Sequence, residues 1–135
     1  MATNRTIKDA KLVVTRVCPA AAANADSASI DLGQVNAFPI NEEVELQIAI
    51  PATDKLVEDK DLTVTVQDSA DNSSFAAVAT LPTVVVTGEE TDISAAKTAV
   101  LKLAGSVRRY LRINVAVETG GGDVTDTTVT ARLLV

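Results

Sequence analysis

The chain has 135 residues, of which 47% are hydrophobic, 22% charged and only 2% aromatic, and its formal net charge is −6. This is one domain's worth of polypeptide, too apolar for disorder and too acidic to favour a phosphate backbone as partner. With no His and a single Cys, Ser-His-Asp, Cys-His and His/Cys metal chemistry are excluded, and no internal disulfide can form.

Nineteen Val and sixteen Thr dominate the composition. Both are β-branched and suit a pleated surface. The charge is uneven. Arg5, Lys8, Lys11 and Arg16 crowd the N-terminal segment, and Arg108, Arg109, Arg112 and Arg132 lie late in the chain. Between Val17 and Ala96 the bases are Lys55 and Lys60, set against many acids. No stretch has the length or hydropathy of a membrane helix, and no signal-peptide core precedes Arg16. The expectation is a protein made, and soluble, in a reducing cytoplasm.

Residues 1–10 are polar and read as an extended arm, leaving 11–135 as one domain. Residues 11–17 (KLVVTRV) form a first strand. The Ala-rich 18–28 is a loop or short helical turn, limited by Pro19. Residues 29–33 (SIDLG) make a short strand ending at Gly33. In 43–50 (EVELQIAI) the alternation is clean: Val44, Leu46, Ile48 and Ile50 face inward. Pro51 stops it, and 54–61 is a charged loop or helical turn. In 61–67 (DLTVTVQ), Leu62, Val64 and Val66 face inward, followed by a DSADNSS turn.

Phe75–Leu81 and Thr83–Thr87 read as two strands broken by Pro82. Asp92–Lys97 is a helical turn or loop. Residues 98–104 form a strand with Leu101 and Leu103 on one face. Residues 107–118 (VRRYLRINVAVE) form the longest strand, joined through TGGGD to a last strand over 124–135; the glycines between two alternating runs suggest a hairpin. About eight short strands and no obligatory helix predict an antiparallel β-sandwich, and a jelly roll is the eight-stranded solution.

Little here carries chemistry. Gly120–Gly122 precedes a strand rather than a helix, so it is no phosphate cradle. The acids of 68–72 could bind Ca²⁺ outside the EF-hand spacing, or simply cap a solvated turn. Paired carboxylates suggest glycosidases, but Phe38, Phe75 and Tyr110 are the only aromatic platforms for a sugar. No enzyme and no cofactor is expected. Arg108, Tyr110 and Arg112 share one face of the long strand and are types enriched at interface hot spots. Thr128, Thr130 and Arg132 share a parity on the last strand and could lie beside them; the basic arm with Arg5 and Lys8 is a further candidate. The alternative is a plain solvated face with arginine stems lying over apolar neighbours. On the contact-face reading, charge reversal at Arg108 and Arg112 weakens oligomer or lattice contacts and leaves folding intact.

Three segments in order carry a resemblance: SIDLG (29–33), TVTVQDSADNSSF (63–75), and RRYLRINVAVETGGG (108–122) with its closing TARLLV. Together they resemble the jelly-roll capsid cement, or decoration, proteins of short-tailed bacteriophages. The resemblance implies a non-enzymatic protein on the outer surface of a phage head. It implies self-association as a dimer or trimer, and binding across seams of the major capsid protein. Structural residues would map to Ser69 and Asp71 in the turn, core Phe75, and Tyr110-Leu111-Arg112. Neither nucleic acid nor membrane is an expected partner. The competing reading is a carbohydrate-binding β-sandwich, since an R-Y-L-R-I strand also occurs in discoidin-like modules.

Overall fold

The computed structural model describes residues 12–32, 44–103 and 107–134. The expected arm, with Arg5 and Lys8, lies outside the described residues, as does Phe38. Among the described residues ten strands occur: β1 (Val13–Val17), β2 (Asn24–Asp26), β3 (Ile30–Asp31), β4 (Glu45–Ile50), β5 (Asp61–Ser69), β6 (Ala76–Ala77), β7 (Val84–Thr87), β8 (Lys97–Lys102), β9 (Tyr110–Val117) and β10 (Thr128–Leu134). There is no α-helix among the described residues.

The strands form two antiparallel sheets. One is four-stranded, in the order β1-β10-β4-β8; the other runs β2-β9-β5-β6, with β3 also on β9 and β7 also on β5. Each strand's period-two alternation decides which residues meet between the layers. Leu46, Ile48 and Ile50 from β4 and Val129, Ala131 and Leu133 from β10 are buried from one side. Leu62, Val64 and Val66 from β5 and Leu111, Ile113, Val115 and Val117 from β9 are buried from the other. Among the described residues no aromatic ring belongs to this core. Aliphatic side chains fill it, each worth roughly 1.5–3 kcal/mol on burial.

The pairing is nested. β1 pairs with β10, β2 and β3 with β9, β4 with β8, and β5 with β6 and β7. The chain is thus a long two-stranded ribbon folded over on itself. Two further ladders, β10–β4 and β5–β9, knit the folded ribbon into sheets.

Three expectations change. β9 and β10 are not a hairpin: they lie in different sheets, and 118–127 crosses between the layers. Gly120 (φ 81°) and Gly122 (φ 90°) turn the chain, but the Gly121 carbonyl accepts from the Val57 N–H at 3.0 Å, tying the link to the 51–60 loop. Glycine permits a turn without specifying which sheet the next strand joins. The predicted strand over Phe75–Leu81 shrinks to Ala76–Ala77. Conversely, the Ala-rich stretch contributes β2, which pairs with Asn114–Ala116. Short pieces such as β2, β3 and β6 account for ten strands where about eight were expected.

Candidate functional site

The outward row of β9 carries Tyr110, Arg112 and Asn114, as their parity predicts. Arg112 sits opposite Gln67 of β5. Its Nε donates to Gln67 Oε1 at 2.8 Å, its Nη2 lies 3.3 Å from Asp26 Oδ2, and its guanidinium stacks 3.9 Å from the Phe75 ring centre. Phe75 is therefore half-buried beneath an arginine on the outer face, and is not a core residue as the resemblance implied. Asn114 Nδ2 donates to Asn24 and Asp26, at 3.1 and 2.8 Å.

Arg108 is not on this face, because β9 begins only at Tyr110. The side chain turns to the end of the sandwich. Its Nε and Nη2 donate to Asp68 Oδ1 at 2.9 and 2.7 Å, and its backbone N–H donates to Oδ2 at 3.0 Å. Asp68 follows Leu62, Val64 and Val66 on the inward parity of β5 and is only 6% exposed. Here arginine neutralises a carboxylate that the strand's own alternation carries into the core. Its neighbour Arg109 holds Asp31 through both oxygens, at 2.8 and 3.0 Å, and lies 5.0 Å from the Tyr110 ring centre. Asp31 raises the Arg109 pKa by hydrogen bonding and by charge.

Thr128, Thr130 and Arg132 also share a face, but it belongs to the other sheet. They do not lie beside Tyr110 and Arg112; the whole sandwich separates the two groups. Around them Val13, Arg132, Gln47 and Val100 form one cross-strand row, and Thr15, Thr130, Ala49 and Thr98 the next. Val17 and Val100 are each 48% exposed on this sheet. Arg132 Nε is buried without a hydrogen-bond partner. The two outer faces thus differ: on the six-stranded one Arg112, Gln67 and Asn114 are engaged in side-chain hydrogen bonds, while the four-stranded one sets Val, Thr and Ala beside Gln47 and Arg132.

The 68–72 turn does not gather its acids. Asp68 is engaged by Arg108, and Asp71 accepts from Ser69 Oγ and from the N–H groups of Ser73 and Ser74 at 2.8, 2.9 and 3.0 Å. These bonds, Ser74's foremost, hold Asp71 down to a pKa of about 2. No group of three or more potential metal ligands converges among the described residues.

A family model named Bbp16 matches residues 12–133. The chain belongs to the Bbp16 family. The name points to a phage-related family. No curated protein matches the chain. The Bbp16 match begins at Leu12, just before β1, and ends at Leu133 within β10, so it takes in the full ribbon and both sheets.

The sequence reading missed the Asp68–Arg108 lock, though a signal existed: an acid on the inward parity of a strand needs a partner. It also missed Asp31–Arg109, which joins residues 78 apart in the chain and leaves no local trace.

Proposed function

We propose that this Bbp16 protein is a structural virion protein, a capsid cement that binds the outside of a phage head and braces contacts between major capsid protein subunits. The observation that carries the reading is the Bbp16 match across the whole sandwich. The nested strand pairing supports it, because a two-stranded ribbon folded into two stacked antiparallel sheets, here four- and six-stranded, is compatible with the jelly roll that the resemblance implies. That plan agrees with the resemblance noted from SIDLG, the DSADNSS turn and the RRYLRI strand.

The role is passive and needs no cofactor. It asks for a rigid body with several modest contact surfaces, repeated over a lattice so that weak contacts add to high avidity. The Val/Thr face of the four-stranded sheet, with Arg132, is the surface suited to meeting protein, either another copy of this chain or the shell. On the carbohydrate-binding alternative, aromatic rings would have to stack on sugars. Phe75 carries the Arg112 guanidinium on its face, and Arg109 lies beside Tyr110.

Co-sedimentation with purified heads lacking the protein tests the reading. Saturable binding, and heads that resist heat better once decorated, are the expected results. Failure to co-sediment, alongside robust binding on a glycan array, would favour the carbohydrate reading.

A further inference from the structure

The net charge of the chain resides at one end of the sandwich. The register places Val17, Ile50, Lys97 and Thr128 at the same end of the four-stranded sheet, and Asn24, Asp61, Thr87 and Val117 at the same end of the other. Four loops therefore converge there: 18–23, 51–60, 88–96 and 118–127. They are tied together by Cys18–Thr127, Thr53–Ser94, Val57–Gly121 and Asp59–Gly88 backbone hydrogen bonds. These loops hold nine acidic residues against two lysines, a formal charge of −7, where the whole chain carries −6. The remainder of the chain, with nine acids and ten bases, is close to neutral.

Within this acidic pole, segments 51–54, 93–94 and 126–128 line a cleft of about 730 Å³. Pro51, Ala52 and the 44%-exposed Ile93 give it an apolar side. Asp54 and Asp126 give it carboxylates. Asp126 bonds Lys55 Nζ at 2.8 Å, and Asp54 and Asp123 also act on that ammonium. Independently of these charges, Ser94 lines the cleft at 4% exposure with its Oγ buried and unpartnered. A buried hydroxyl without a partner costs free energy; Ser94 Oγ is shut off from solvent, so a bound donor recovers that cost only by displacing the cleft wall over it. The acids are spread rather than convergent, with no cluster of potential metal ligands among the described residues. That spread suits a polypeptide and not an ion.

We infer that the acidic pole docks a basic polypeptide segment of its partner, with a Lys or Arg side chain laid along Ile93 and Pro51 and its charged head among Asp54, Asp126 and Ser94. An aliphatic stem tipped by a cation matches an apolar wall beside carboxylates. The inference deepens the capsid reading, and rests on it only for who the partner is.

The test uses the full-length ¹⁵N-labelled chain and the peptide acetyl-(Lys-Thr)₃-amide as probe. The expected result is amide shifts confined to Thr53, Ser94, Thr127 and their neighbours, fading as salt screens the charges. The variant Asp54→Asn/Asp126→Asn should bind about three- to tenfold more weakly. Both sites are exposed, so its melting temperature reports whether the fold is intact. Ser94→Ala should bind the peptide more weakly yet melt no earlier than the parent. Shifts scattered over the surface, or equal affinity for parent and double variant, would overturn the inference, as would calcium chloride moving the same amides at submillimolar concentration. A parallel assay on undecorated heads separates the two readings. If the parent fails to sediment while the peptide result holds, the capsid reading falls and the pole stands. If the parent and the double variant sediment equally, the pole is not the shell contact.

Discussion

Arg108 grips Asp68 through its side chain and its own backbone N–H, and Arg108 Nη2 also donates to the Asp68 carbonyl at 2.8 Å. The carboxylate side chain is 9% exposed, the arginine side chain 43%. The pair shuts one end of the core, so Arg108 is bound to the fold rather than free on the surface.

Removing Arg108 strands that carboxylate. Breaking a buried pair costs about 3–5 kcal/mol, and the half-open arginine lowers this to about 2–3 kcal/mol for Arg108→Ala. Arg108→Glu should be worse, contrary to the expectation that charge reversal here spares the fold. Arg109→Ala, at an exposed pair, should cost under about 1 kcal/mol. Urea denaturation of the three variants gives the comparison. Equal midpoints for Arg108→Ala and the parent would mean that water solvates Asp68 unaided.

Most of the layered core was legible because alternation maps directly onto burial: Val44, Leu46, Ile48, Ile50, Leu62, Val64, Val66 and the odd positions of β9 are all inward. Connectivity was less so. The TGGGD run fixes that the chain bends, but β10 chooses β1 and β4 through contacts remote in sequence. The candidate residues divided for the same reason. Parity grouped Tyr110 with Arg112 on β9 and Thr128, Thr130 and Arg132 on β10, but it failed for Arg108, which precedes β9, and it does not say that two strands belong to different sheets. The acidic pole was also hidden, since its charges come from three loops separated by whole strands.

The 71–74 turn should titrate with the fold. Asp71 is held at about pKa 2 in the native state, against an ordinary value of 3.8. A depressed folded pKa means stability that is present above the unfolded value and is lost as pH falls through the folded one. The destabilising effect of Asp71→Asn should therefore be constant above about pH 5 and shrink toward pH 2. Chemical denaturation of both proteins across that range is the measurement. A gap that persists undiminished at pH 2 would show that Asp71 acts through geometry and not through its charge.

Cys18 titrates in the opposite sense. Burial, then the charge of Asp126, raises its thiol to about 11 from 9.0. The protonated form is the folded one, so stability from this group is full below pH 9 and declines as pH rises toward 11. At pH 8 the native thiol, 2% exposed, should react with a disulfide reagent far more slowly than the urea-unfolded chain. Fast reaction in the folded state would reveal local opening where Cys18 follows β1.

Strain is stored within the acidic pole, in the 88–96 loop. Thr91 has φ 70° and Asp92 φ 59°, both left-handed, between the bridged Glu89 and Ile93. A β-branched residue is poorly suited to that region, at a cost of about 1–2 kcal/mol. The turn is held because Glu89 N–H donates to the Ile93 carbonyl at 2.6 Å and Glu58 N–H donates to Asp92 Oδ1 at 3.0 Å. Thr91→Asn or Thr91→Gly should therefore stabilise the protein by about 0.5–1.5 kcal/mol, the glycine gaining less because it loosens the unfolded chain. Thermal unfolding decides this. If the pole docks a partner through Ile93, Thr91→Gly should also weaken that docking despite the stabler fold, because a freer turn no longer fixes Ile93 at the rim of the cleft. Stability and affinity rising together would show that the strain serves no contact.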